Sequence, residues 1–180
     1  MNRDDFAPSP LADVEATPEG ESWTLVFVRD LHHPREKVWA ALTEPAQLSE
    51  WAPFLADRDL STVGDAVLTM VDGDTTVELK ASVLRAEAPT LLEYSWGTDL
   101  LRWELSATDD GTRLTLRHTV ADLDMAAMAA AGWHVCLDVA EHLLDGAPIG
   151  PIRGAEARDF GWDQLNEAYA KKAGSLTAGQ

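Results

Sequence analysis

Apolar and polar residues first alternate along Ser22 to Leu31, SWTLVFVRDL. Trp23, Leu25 and Phe27 lie on one face, with Arg29 at its end, and Thr24, Val26 and Val28 lie on the other. β-Branched and aromatic residues in this pattern predict a strand covered on much of both faces. The period then changes. Pro34 opens a helix without wasting a donor, Val38, Trp39, Ala41 and Leu42 follow at helical spacing, and Pro45 forbids continuation. A second short helix ending near Trp51 follows. From Ala66 to Val120 the segments AVLTMV, TTVELKASVLR, LLEYSW, LLRWELSA and TRLTLRHTV are separated by DGD, EAPT, GTD and TDDG, which are turn compositions. These predict an antiparallel meander. On one face stand Leu92, Tyr94 and Trp96, then Leu101, Trp103 and Leu105, then Leu114, Leu116, His118 and Val120. The other face carries Glu93, Arg102, Glu104, Arg113 and Arg117 and is expected to face water.

After Asp122 and Asp124, either of which can cap, MAAMAAAGWHVCLDVAEHLLDG reads as one long helix. Its apolar stripe is Met125, Met128, Trp133, Cys136, Leu137, Ala140, Leu143 and Leu144, and Gly146 and Pro148 stop it. A curved sheet needs a cover for its apolar face, and this helix is the one element large enough, so helix and sheet enclose a core or a cavity. The predicted fold is α+β. A sheet of six to seven strands wraps a long C-terminal helix, with two short helices after the first strand. The expected organisation is a Pro-containing acidic lead-in at 1–20, a domain at 21–145, a linker and packed C-terminal helix at 146–173, and a loose tail at 174–180. The lead-in combines three prolines with five acidic residues and shows no periodicity, so it is expected to be flexible or extended and to carry no chemistry.

This order, together with HPREKVWAALTEPAQLSEWAPF, VGDAVLTM, VLRAEAPTLLEYSW, DDGTRLTLRHTV and the AGW in the last long helix, resembles the START-like (SRPBCC, helix-grip) superfamily. Within it, the chain looks like the branch of activator of heat-shock protein 90 ATPase homologue-like proteins. The resemblance runs from about Ser22 to Leu144. It implies a helix-grip fold, in which many members bind apolar small molecules between sheet and helix, while others are co-chaperones or cyclases. Members often carry two adjacent aromatic residues where this chain has Trp51, Ala52 and Pro53, so the rim of any pocket is expected to differ.

Charge narrows the partners. The 14 basic residues against 31 acidic leave a net −17, which repels phosphate backbones and anionic lipid, so neither nucleic acid nor membrane is expected as a partner. One cysteine, Cys136, forms no internal disulfide, and Asp4 and Asp5 stand where a secretory signal needs an apolar run. A cytoplasmic location is expected. The run MAAMAAAGW falls short of the ~20 residues that span a bilayer.

Of the five histidines, His32 and His33 precede Pro34 and read as a solvated turn. His134, Asp138, Glu141 and His142 sit near one face of the long helix, but the two histidines are ~12 Å apart along it, too far to share one metal ion, so a solvated polar face is expected. His118 differs, because alternation points it inward, where an imidazole needs a partner. No nucleophile elbow, zinc-protease, Walker or dinucleotide motif occurs, and no cofactor or metal is expected. The candidate ligand pocket is Trp51, Phe54, Tyr94, Trp96, Trp103, Leu116, His118, Trp133 and Leu137, with Trp51 and Phe54 at its rim and Trp39 in plain packing. The first functional expectation is an apolar small-molecule binding protein, not an enzyme. The alternatives are a protein-interaction module of chaperone or stress-response type and a cyclase or hydratase using His118. No catalytic residue is assigned.

Overall fold

The computed structural model describes residues 2–178, with side chains to Gly174. Strands β1 (Asp13–Glu19) and β2 (Ser22–Leu31) precede helices α1 (Arg35–Thr43) and α2 (Pro45–Leu48). Strands β3 (Phe54–Ala56), β4 (Gly64–Asp72), β5 (Thr75–Glu87), β6 (Leu91–Trp96), β7 (Asp99–Thr108) and β8 (Gly111–Val120) follow. Helix α3 (Leu123–Leu144), a 3₁₀ stretch (Gly154–Phe160) and helix α4 (Trp162–Ala178) complete the chain. All eight strands join one antiparallel sheet in the order β1-β2-β8-β7-β6-β5-β4-β3. The first strand of the domain thus returns beside the last, and the sheet curls around α3.

The meander forms where alternation placed it. In β8, Leu114, Leu116, His118 and Val120 are buried while Arg113 and Arg117 are exposed. Arg117 pairs with Glu104 on β7 at 2.8 Å, an exposed cross-strand pair worth only tenths of a kcal/mol. Asp122 caps α3, its carboxylate accepting from the Met125 amide at 2.8 Å. Helix α3 is the one helix among the described residues long and apolar enough to cross a membrane, but most of that stretch, 67%, is buried between the sheet and α4.

Three expectations need correction. The sheet has eight strands, not six to seven, because β1 and the short β3 occupy its edges. The segment expected to be a lead-in forms β1, paired with β2 from Asp13 opposite Val28 to Glu19 opposite Ser22. Only Val14 is buried in β1, and Pro18 is tolerated on an edge strand, so the segment carries no amphipathic signal of its own. The C-terminal helix, expected within 146–173, begins at Trp162 and continues to Ala178, so it takes up most of the expected tail at 174–180, whose last two residues lie outside the described ones.

Candidate functional site

The aromatic residues of the inner face divide into two groups. Trp51 is 1% exposed, donates Nε1 to the Ala41 carbonyl at 2.9 Å, and meets Trp103 edge-on with centroids 6.2 Å apart. Trp103 donates to the Tyr94 hydroxyl at 3.1 Å. Phe54 stacks edge-on against Tyr94 at 6.3 Å. Burial pushes the Tyr94 phenol far above its ordinary range, partly opposed by the bond from Trp103, so it stays protonated. With Leu116 and Leu137 also buried, these residues make a filled core. Trp51 and Phe54, expected at a rim, are therefore interior packing.

Empty space lies beyond this core. A cavity of about 430 Å³, within the range of small-molecule sites, is bounded by the end of the sheet, the N-terminal half of α3 and the segment after α3. Trp96, Asp99, His118 and Val120 come from the sheet, and Met125, Met128, Ala129, Gly132, Trp133 and Cys136 from α3. Pro53, Ile152, Arg153, Gly154, Ala157 and Trp162 close the remaining wall. Trp96, His118 and Trp133 are the expected pocket residues that the structure brings together here. The space follows from the sequence of α3: Ala129 and Gly132 line the cavity with little or no side chain, and a Cβ on Gly132 would point toward the Trp162 indole. Met125 and Met128, expected on the inward stripe, are 42% and 39% exposed and stand at the mouth.

His118 is held at both nitrogens. Trp133 Nε1 donates to His118 Nδ1 at 3.0 Å, and Asp99 Oδ2 lies 2.8 Å from Nε2. An indole can only donate, so Nδ1 carries no proton and Nε2 donates to Asp99. While these bonds hold, neither nitrogen is free to exchange a proton with a ligand. Trp96 lies 5.8 Å from both the His118 and Trp133 ring centres.

The remaining wall is tied down by polar bonds. Arg153 Nε donates to the Ala52 carbonyl at 2.7 Å and Nη2 to the Ser49 carbonyl at 3.0 Å. Gly154 has φ +59°, and a Cβ there would meet the Asp72 carboxylate at 2.2 Å; the same carboxylate accepts from the Ala155 amide at 3.1 Å. Cys136 is deeply buried, which pushes its thiol up to about 12, with Arg153 pulling the other way, so it is no nucleophile at neutral pH.

A second polar cluster corrects the expected solvated face of α3. His134 and Asp138 are buried beneath the N-terminal segment. Asp138 accepts from the Ser9 amide at 2.8 Å and hydroxyl at 2.7 Å and pairs with Arg29 at 2.5 Å. His134 Nδ1 lies 2.7 Å from the Tyr169 hydroxyl, which accepts from the Ala12 amide at 3.0 Å. Ser9 and Tyr169 lie far from α3 in sequence, so the helix alone could not reveal the burial. The inward position of Arg29 was the available signal, since a guanidinium beside Leu25 and Phe27 requires an acid. His33, expected in a solvated turn, lies 2.7 Å from Asp145 Oδ1.

Comparison with known proteins places the chain. The family model described as Activator of Hsp90 ATPase homolog 1-like protein matches residues 32–145. CalU16 from Micromonospora echinospora, solved in solution, is 21% identical, covers 97% of each chain and superposes with TM-score 0.67. Protein MLL2253 from Mesorhizobium loti is 26% identical over 68% of this chain and 97% of its own, with TM-score 0.61. An AHSA1-like protein from Aeromonas hydrophila is 20% identical over 69% and 93%, with TM-score 0.58. No curated protein matches the chain.

Proposed function

The chain belongs to the activator of Hsp90 ATPase homolog 1-like family, and from that premise we propose that it is a small-molecule binding protein whose apolar ligand occupies the cavity between sheet and α3. The observation that carries this reading is a cavity of about 430 Å³ walled by Trp96, Trp133, Met125, Met128, Ile152 and Trp162 in a chain whose other inward aromatics are closely packed. Apolar walls with a few fixed polar groups are the usual make-up of a ligand site. The methionine thioethers at the mouth are adaptable surfaces for an apolar body. A cytoplasmic location belongs to the same reading, supported by the unpaired Cys136 thiol.

Ligand binding to the folded state adds about 2.7 kcal/mol at a hundredfold excess over the dissociation constant. For a chain of this size that is a rise of roughly 5–10 °C in Tm. A thermal-shift screen of varied apolar compounds tests it. Hits are expected to lose their shift in Gly132→Phe, which fills the cavity. An absence of hits, or hits indifferent to Gly132→Phe, would refute the reading.

A further inference from the structure

The hydrogen-bonding groups left unspent on the cavity wall narrow the chemistry of its occupant. Arg153 and Asp99 are the charged side chains there, with His118 between two partners. The acceptors are largely committed. His118 Nδ1 takes the Trp133 proton, and Asp99 Oδ2 takes the His118 proton. The Asp99 side chain is 31% exposed, so water competes for its remaining oxygen.

The donors are only partly committed. Arg153 donates through Nε and Nη2 to two neutral carbonyls, and among the described residues it pairs with no carboxylate. Burial lowers its pKa, opposed in part by the charge of Glu50, so Arg153 is a half-buried cation with no contact ion pair among the described residues. A guanidinium carries five N–H groups in a planar fork, which leaves Nη1 available. Trp96 also lines the cavity, but its Nε1 is shut off from solvent and has no acceptor among the described residues, so Arg153 is the donor that an occupant can reach.

Building on the ligand-binding reading, we propose that the occupant is an amphipathic carboxylate: an apolar body among the tryptophans and methionines, with its acid group on Arg153. A carboxylate accepts only, which matches the unspent Nη1 donors, and it supplies the contact ion pair that Glu50, acting at longer range, does not make. The global charge of −17 works against an anion at long range. A preference for the anion over its neutral counterpart must therefore come from a local group.

Decanoate, decan-1-ol and decylammonium share one alkyl body and differ in head group, and isothermal titration calorimetry reports their binding. Decanoate is expected to bind the wild type about tenfold tighter than decan-1-ol, with decylammonium weakest. Arg153→Gln should abolish that preference, read as the ratio of the decanoate and decan-1-ol affinities within the variant, and Arg153→Lys should retain part of it. Equal affinities for decanoate and decan-1-ol, a preference for decylammonium, or an anion preference that survives in Arg153→Gln would overturn the carboxylate assignment alone. Failure of all three to bind the wild type would remove the ligand-binding reading with it. Arg153 also anchors the chain at Ala52 and Ser49, so if Arg153→Gln does not fold, the ranking of the three probes on the wild type decides.

Discussion

Replacing Asp138 with Asn preserves the shape of the side chain and removes one negative charge from the cluster that clips the N-terminal segment to α3. Burial raises the Asp138 carboxyl pKa, but the hydrogen bond from His134, the charge of Arg29 and two bonds from Ser9 outweigh it and hold the group at about 2, against an ordinary 3.8. At 1.36 kcal/mol per pKa unit, that gap corresponds to about 2 kcal/mol of stability. A folded-state pKa below the unfolded one means that folding favours the ionised acid. The contribution is therefore complete above the unfolded value and is lost as pH falls through about 2. The Asp138 side chain is only 5% exposed, so solvent screening takes little from it. Urea unfolding of both proteins, followed by tryptophan fluorescence, should show the variant less stable by about 2 kcal/mol near neutral pH. The difference should shrink between about pH 4 and pH 2. A difference below about 0.5 kcal/mol near neutral pH, or one that persists unchanged to about pH 2, would refute the assignment.

Tyr169→Phe removes the hydroxyl that joins His134 to the Ala12 amide and should cost about 1–2 kcal/mol, with faster amide exchange in α4 and β1 than in β7. Trp133→Phe removes the donor to His118 Nδ1 and should cost about 1–3 kcal/mol in stability; nitrogen NMR should then show the Nδ1 resonance shift as it loses its donor, while Nε2 keeps its proton toward Asp99. With its thiol raised to about 12, Cys136 should react with an aromatic disulfide at about pH 8 roughly a thousandfold more slowly in the native protein than in urea.

Sheet and long helix were legible because both are written locally. The alternation in β6, β7 and β8 and the stripe of α3 each bury one face, and turn residues separate the strands. The edge strand β1 was not, since its place is set by pairing with β2 and not by its own pattern. His118 was legible as inward-facing from its register between Leu116 and Val120. Which inward aromatics surround space depended on packing distant in sequence. Trp103 and Trp133 meet at 5.2 Å and close the core, while Ala129 and Gly132 leave the room beyond it. Small residues at cavity-facing positions of α3 were the one local sign. The closing wall around Arg153 is assembled from carbonyls of Ser49 and Ala52, about a hundred residues earlier, and no local pattern announces it.

Native mass spectrometry of the protein equilibrated with an organic extract of its own host cells tests the ligand-binding claim most directly. The wild type should carry a bound species of small-molecule mass that denaturation releases, and folded Gly132→Phe should carry none. A wild type that emerges bare, or a Gly132→Phe protein holding the same mass, would contradict it.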